Sequence, residues 1–508
     1  MLCPRMQTCI YEEWNEEIMI NTDILFYKRK EEILSCPDNL EIKGNTYYVS
    51  CDGDDNNDGL SPQKAWKSLD RVNKSWLYEG DGVLFRRGDL FRGEIFTRSG
   101  VSYGAYGEGE KPKFYGWDED LAKADLWELY CGEKNIWKYK KKILDPGTVV
   151  FNGGEKHSVK LIPTYKNLQF VCRDDESRVF DMRTEMTRDL DIFWKFDTLL
   201  HSRPSKGKNF PVPVADSTCM GELYLRCDSG NPGEVFDSIE AVVNRRAFWI
   251  NKNKNVHVDN ICMKYYCFGV SSVGTTVGLT VTNCEIGWVG GNIQNYDGLD
   301  PNYPKGDRGT VTRFGNAIEI YGGCENYTVS NCYIYQSYDA GITHQINTRK
   351  KVVMTNVRYT DNLIEKCVYG IEYFLDQIDG ERESYMENII MSGNFIRLSG
   401  YGWGQQRHNT DTPALIKGWS FVNTARNYTV CDNIFDRSAY RMLHLVALKD
   451  EYCPDMHGNT YIQTRGGMLG QYGGNENGEP EILMFDENAE KTIKEVFGDK
   501  DAKVYCFE

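Results

Sequence analysis

Three acidic residues sit in or beside short β-like phrases of one form. Glu319 lies in "NAIEI" (316–320), Asp339 just ahead of "AGITH" (340–344), and Glu372 in "YGIEY" (369–373). The form returns as "FGVSS" (268–272), "ALIKG" (414–418) and "MLHLV" (442–446). Alternate residues of a strand face opposite sides. With Val270, Ile318, Ile342, Ile371, Ile416 and Leu443 turned inward, an outward polar column follows: Ser271, Glu319, Thr343, Glu372, Lys417 and His444. Small neighbours (Gly269, Ala317, Gly341, Gly370) would let a ligand lie close to the sheet. Glutamate is a poor strand former, so two of them in one column point to acid–base work. Paired carboxyl groups cleave glycosidic bonds, with retention at a separation of about 5–5.5 Å and inversion at about 6.5–9.5 Å. Glu319 and Glu372, two rungs apart, would stand about 9.6 Å from each other, and Asp339 would stand closer to Glu319. His344 falls on the inward parity, where a core histidine and a substrate contact are both open readings.

Two long loops would wall this face. Residues 287–314 carry Trp288, Asp307 and Arg313, and residues 397–413 carry Trp403 and Arg407, with Trp419 following the next strand. Long loops on a rigid scaffold usually carry function. Tryptophans are the side chains on which sugar rings stack, so Trp288, Trp403 and Trp419, with Asp307, Arg313, His344, Arg407, Lys417 and His444, are the candidate substrate-binding residues.

What must position these groups is a repeat. "NVHVDNICM" (255–263), "GLTVTNCEI" (278–286), "NYTVSNCYI" (326–334), "VVMTNVRYTDNLI" (352–364), "NIIMSGNFI" (388–396) and "NYTVCDNIF" (427–435) each alternate β-branched residues, reach an Asn, and end on an aliphatic or aromatic residue. Each is followed by one of the phrases above. A period of short strands and turns, 23 residues from Asn260 to Asn283, is that of a parallel β-solenoid. The recurrent Asn would stack as a ladder at one turn. An antiparallel sandwich would also show many short strands, but gives no reason for the same Asn and Gly to recur in the same order.

The stretch "YYVSCDGDDNNDGLSPQKAWKSLDRVNKSWLYEGDGVLFRRGDLFRGEIF" (47–96) resembles the opening of right-handed parallel β-helix proteins of the pectate-lyase-like group, where such a start leads through a short helix to a "GD-x-V-x-F-x-x-G" strand. The coils from about 250 to 447 resemble the same group, closest in character to its glycoside hydrolases. The resemblance implies an all-β, right-handed parallel β-helix. It leaves the activity open, since the group includes polysaccharide lyases, hydrolases of β-xylosidase and lacto-N-biosidase type, isomerases and tailspikes. The chain then divides into an N-terminal cap (1–45), the start of the helix (46–116), an inserted or side region (117–246), the coils carrying the site (247–447), and C-terminal coils with a cap (448–508), including a helix over 487–498 and a last strand "AKVYCF".

Composition narrows the partners. The 508 residues carry a formal charge of −15, which disfavours nucleic acid and anionic membrane; a local basic cleft could still override that average. No apolar run is long enough to span a bilayer. The Glu-rich start is not a secretory signal. Seventeen cysteines in no regular framework read as free thiols, mostly small core residues, so the expected location is cytoplasmic. With seven histidines and no paired His or Cys motif, a zinc site is not indicated, and no phosphate-binding glycine loop appears. No cofactor is expected. "DGDDNNDG" (52–59) has spacing that could ligate Ca²⁺ but reads better as a turn. Oligomeric state stays open. The sequence therefore favours a glycoside hydrolase acting on an oligosaccharide, with Glu319, Asp339 and Glu372 supplying acid and base or nucleophile. A polysaccharide lyase using Lys417 or His444, and a non-catalytic carbohydrate-binding β-helix, are the rivals.

Overall fold

The computed structural model describes residues 17–166, 169–196, 201–205, 208–212, 219–297, 310–378, 383–407, 413–422 and 424–507. Most of them wind into a right-handed parallel β-helix with three sheets of eleven, twelve and ten strands, here sheets I, III and II in that order. Each coil contributes one strand to each sheet: His257–Asp259, Cys262–Lys264 and Tyr266–Val273 make one such coil. The longer phrase of each repeat is thus two strands with a corner between them, and the shorter phrase is the strand of sheet III.

The interior is built from stacked columns in strict register. In sheet I, Val258, Val281, Val329, Tyr359, Met391, Val430 and Met456 follow one another. In sheet III, Phe248, Val270, Ile318, Ile342, Ile371, Ile416 and Leu443 do the same. All are buried in one continuous core, each worth roughly 1.5–3 kcal/mol of burial.

The corner between sheets I and II explains the recurrent Asn. Asn260, Asn283, Asn331, Asp361, Gly393, Asp432 and Gly458 occupy it with φ between 54° and 68°, a left-handed conformation open to Asn, Asp and Gly. The expected ladder exists, but the recurring Asn belong to two columns one residue apart. Asn362, Asn394, Asn433 and Asn459 follow the left-handed residue and stack inside. Each donates to the next side-chain oxygen at 2.9 Å, and Asn459 ends the ladder on Asp499 at 2.8 Å. Earlier coils hold Cys284 and Cys332 at that inner position, both fully buried.

The described part of the N-terminal segment, from Glu17 on, lies along the flank of the solenoid. Its helix, Glu17–Leu34, lies on the outer flank of sheet II, where Phe26 packs on Tyr333, Leu363 and Phe395 and Asp23 pairs with Arg397 at 2.6 Å. Leu40 and Ile42 then cover Gly104 and Gly82, on whose open positions a Cβ would meet them at 2.3 Å. Trp66, Leu69 and Val72, around the short helix Leu69–Lys74, join the core of the first coils instead. At the other end the helix Ala489–Val496 lays Ala489 and Ile493 on the core, and Lys503–Phe507 pairs with Thr460–Thr464.

The side region leaves the coil after Lys113–Tyr115 and returns in Ile239–Trp249. That strand is shared. Its first half pairs antiparallel with Pro146–Phe151, and its second half pairs parallel with Tyr266–Val273. A second core, with Trp127, Ile192, Trp194 and Leu223, lies inside the region. In "DGDDNNDG", Asp54 and Asp58 accept backbone N–H groups of Asn56 and Leu60, Asp55 accepts those of Lys67 and Ser68, and Asp52 pairs with Arg86. The loop is a set of turns. No cluster of metal-ligating side chains is found among the described residues.

Candidate functional site on the outer face of sheet III

Sheet III holds the six polar residues in one column. Ser271 pairs with Glu319, Glu319 with Thr343, Thr343 with Glu372, Glu372 with Lys417, and Lys417 with His444. All six are buried, so the face is covered ground in which charge costs free energy. The small residues do not open space for a ligand as expected, because they point inward. A Cβ on Gly370 would lie 2.3 Å from Cγ2 of Ile396, and one on Gly269 2.9 Å from Cγ2 of Ile286. The residue before each turns outward instead, which brings Asn316 and Tyr369 onto the site face.

The three carboxyl groups share this face. Glu319 accepts from the Asn316 amide at 2.5 Å and from Gln345 at 3.4 Å, both on Oε2. Burial pushes its carboxyl up to about 7, with the Asp339 charge adding to the rise and Asn316, Arg246 and Gln345 opposing it. Glu372 accepts from the Trp419 indole at 2.6 Å. Burial pushes it up to about 8, and Asp339 again adds, against the Trp419 hydrogen bond and the charges of Lys417 and Arg407. Asp339 is the common neighbour. It is buried and ion-paired with Arg407, while Asn316 anchors its chain by accepting from the next backbone N–H, that of Ala340, at 2.8 Å. Two carboxyl groups that hold protons near neutrality thus flank one paired to a guanidinium.

Cations and aromatic rings continue the face. The Lys417 ammonium lies 3.6 Å from the Trp419 ring and 4.4 Å from the Tyr369 ring, and donates to the Tyr369 hydroxyl at 3.1 Å. His444 accepts from Arg441 at Nδ1. Burial, with Arg441 and Lys417 adding, holds its imidazole down at about 3, so it is neutral.

Four other candidates are structural. His344 points into the coil, bonded to Tyr359 at 2.8 Å and stacked on Tyr373; burial holds it at about 3, and no ligand on the outer face meets it. Trp288 packs with Val150, Val242 and Tyr265 where the side region meets the coils. Trp403 is among the largest fully buried side chains, its indole donating to the Gln336 carbonyl at 2.8 Å. Arg313 is buried and donates to the carbonyls of Gly291 at 2.6 Å and Gly147 at 2.8 Å. His344 and Trp288 lie on strands of the coils, Ala340–Thr348 and Glu285–Val289, while the segments that carry Arg313 and Trp403 are folded down onto the scaffold, so these aromatic and cationic groups serve as anchors. Asp307 lies outside the described residues. Asn316, Gln345, Tyr369, Arg441 and Gln471 do not stand out in the sequence. They lie one to three residues from column positions or follow the column into the next coil, so the same register argument, carried further, reaches them.

No family model and no curated protein matches the chain. Solved structures are similar at low identity. XylC with xylose is 11% identical, with 91% of this chain and 82% of that one covered and a TM-score of 0.38. A GH136 lacto-N-biosidase from Eubacterium ramulus is 14% identical over 90% of this chain, which spans 64% of that enzyme, with a TM-score of 0.38. A polygalacturonase from Erwinia carotovora is 12% identical over 84% of this chain and 96% of its own, with a TM-score of 0.32. Likeness at this level assigns no activity.

Proposed function

We propose that this protein is a glycoside hydrolase acting on an oligosaccharide bound along the outer face of sheet III. The observation that carries the reading is the set of three carboxyl groups in unlike environments: Glu319 and Glu372 with raised values, and Asp339 paired to Arg407 between their influences. Divergent environments are how one site obtains both an acid and a base. Glu372, protonated at neutral pH, is the fitting general acid. It would give its proton to the glycosidic oxygen as the bond to the anomeric carbon breaks. Asp339, ion-paired with Arg407, would take the proton of the attacking water or attack the anomeric carbon itself. Glu319, fixed by Asn316 and Gln345, would hold sugar hydroxyls and keep a second protonated carboxyl beside the reacting centre. Lys417, Trp419 and Tyr369 would form the wall against which the sugar rests.

The test is a product screen over neutral and uronate-containing oligosaccharides, wild type beside Glu372→Gln, read by NMR and by ultraviolet absorbance. Saturated reducing sugars are expected, with kcat lowered on the order of 10²–10⁴-fold in the variant, and the first anomer formed gives the stereochemistry. An unsaturated uronate product would replace the hydrolase with a lyase. Binding without turnover across the panel would leave a carbohydrate-binding β-helix.

A further inference from the structure

The outer column does not begin at Ser271. One rung earlier stands Trp249, paired in register with Ser271 on one side and with Phe96 on the other. The inward parity at these rungs goes to Phe248 and Ile95, both fully buried. Phe96 and Trp249 therefore stand on the same outer face as Glu319 and in line with it. Their surroundings differ from the rest of the column. Every residue from Ser271 to His444 is buried, whereas Phe96 is 40% exposed and Trp249 is half-buried. The two rings are 5.7 Å apart and tilted by 44°, which leaves ring face uncovered. The Arg246 guanidinium lies over the Trp249 ring at 4.9 Å and the Phe268 ring at 5.0 Å, and its buried Nε finds no acceptor among the described residues. A rigid aromatic surface beside a cation with donor capacity suits a pyranose ring, which offers an apolar face to the indole and hydroxyl groups to the guanidinium.

We infer that Trp249, Phe96 and Arg246 form a distal sugar subsite on the same outer face of sheet III, an inference that rests on the glycoside-hydrolase reading above. By the strand spacing Trp249 lies about 10 Å and Phe96 about 14 Å from Glu319 along the helix axis. An occupant that reaches both the carboxyl groups and this surface is an oligosaccharide of roughly three or more rings running along the axis. A lone disaccharide at the carboxyl groups would not touch it.

Binding to an immobilised panel of neutral and uronate-containing oligosaccharides, from disaccharide to hexasaccharide, tests this. Glu372→Gln keeps the ligands intact, and Trp249→Ala and Phe96→Ala are made in that background. Binding is expected to tighten at least about tenfold from disaccharide to hexasaccharide, a gain of about 1.4 kcal/mol. The ratio should fall close to one in either aromatic variant. Phe96→Ala, at a partly exposed position, provides the reading if Trp249→Ala does not fold. Binding that does not depend on chain length, or a length gain that survives both substitutions, overturns the subsite and leaves the hydrolase standing. Absence of binding to every member of the panel overturns both.

Discussion

At the scale of single residues, the site is stored instability. Glu319 and Glu372 sit on covered rungs of sheet III with their carboxyl groups raised to about 7 and about 8. In the unfolded chain each would titrate in the ordinary glutamate range, so between that range and its folded value the native state binds more protons than the unfolded one. Stability therefore falls as pH rises through this window, and the loss is complete above about 8 for Glu372. Glu372→Gln removes that titration while keeping an oxygen to accept from the Trp419 indole. A tenfold change in proton affinity corresponds to about 1.4 kcal/mol, so the variant should be more stable than wild type at pH 8 by on the order of 2–4 kcal/mol. Near pH 4 the two should match. Thermal melts at the two values decide this. An equal gain at both would mean that packing, not ionisation, sets the difference. The same substitution abolishes the proposed proton donor, so stability gained at pH 8 alongside turnover lost is the joint signature of a carboxyl kept protonated for use.

At the scale of elements, the corner ladder does for the backbone what the aliphatic columns do for the core. Asn433 accepts from the backbone and the side chain of Asn394, and donates to the Met391 carbonyl and to Asn459. Asn433→Ala removes its own bonds and leaves two donors of Asn394 buried without an acceptor, at a cost of roughly 1–3 kcal/mol for each unsatisfied group. A loss of about 3 kcal/mol in urea unfolding is expected. Asn427→Gly, in the exposed ladder where Asn427 donates to Asn388 and holds a left-handed φ of 47° that glycine also adopts, should cost under about 1 kcal/mol, because water replaces the partner. Equal costs would mean that the inner ladder is not dry. These elements also show what the sequence discloses. The column from Ser271 to His444 is legible because one aliphatic residue per strand fixes the parity of its neighbours, and stacking then fixes the register. The ladder is legible as a recurrence but not as two columns, since a slip of one residue between Asn331 and Asn362 is invisible until the left-handed corner is located. Residues of the stretches that look like long loops are the least legible. Trp288, Trp403 and Arg313 look like ligand contacts when only their polarity and their glycine neighbours are known. Their burial is decided by the side region and by carbonyls such as that of Gly147, far away in the chain.

At the scale of the whole molecule, a solenoid has contacts mainly between neighbouring coils, so its stability is close to a sum of local terms. Anything that spans several coils makes them unfold together. The N-terminal helix is such a brace. Arg29 donates to Asn331 at 2.6 Å, Phe26 meets Tyr333, Leu363 and Phe395, and Arg397 reaches Asp23 while its guanidinium lies over the Phe26 ring. Three consecutive coils are thus held from the outer flank of sheet II, a different sheet from the one that carries the carboxyl groups. Phe26 is fully buried, so Phe26→Ala should cost about 3–5 kcal/mol if the helix stays docked. A helix that detaches instead limits the cost to its own docking free energy. Hydrogen exchange separates the two cases. In the variant, amides of Glu17–Leu34 should exchange faster together with those of sheet II at Tyr333–Ser337, Leu363–Glu365 and Phe395–Ser399, while protection along sheet III around Glu319 and Glu372 stays near the wild-type level. Turnover at 25 °C should then change by less than about twofold. A parallel collapse of protection in sheets II and III, with activity lost, would mean that the brace supports the site itself. The coils would then not be the quasi-independent units that let a rigid face hold three carboxyl groups in unlike environments.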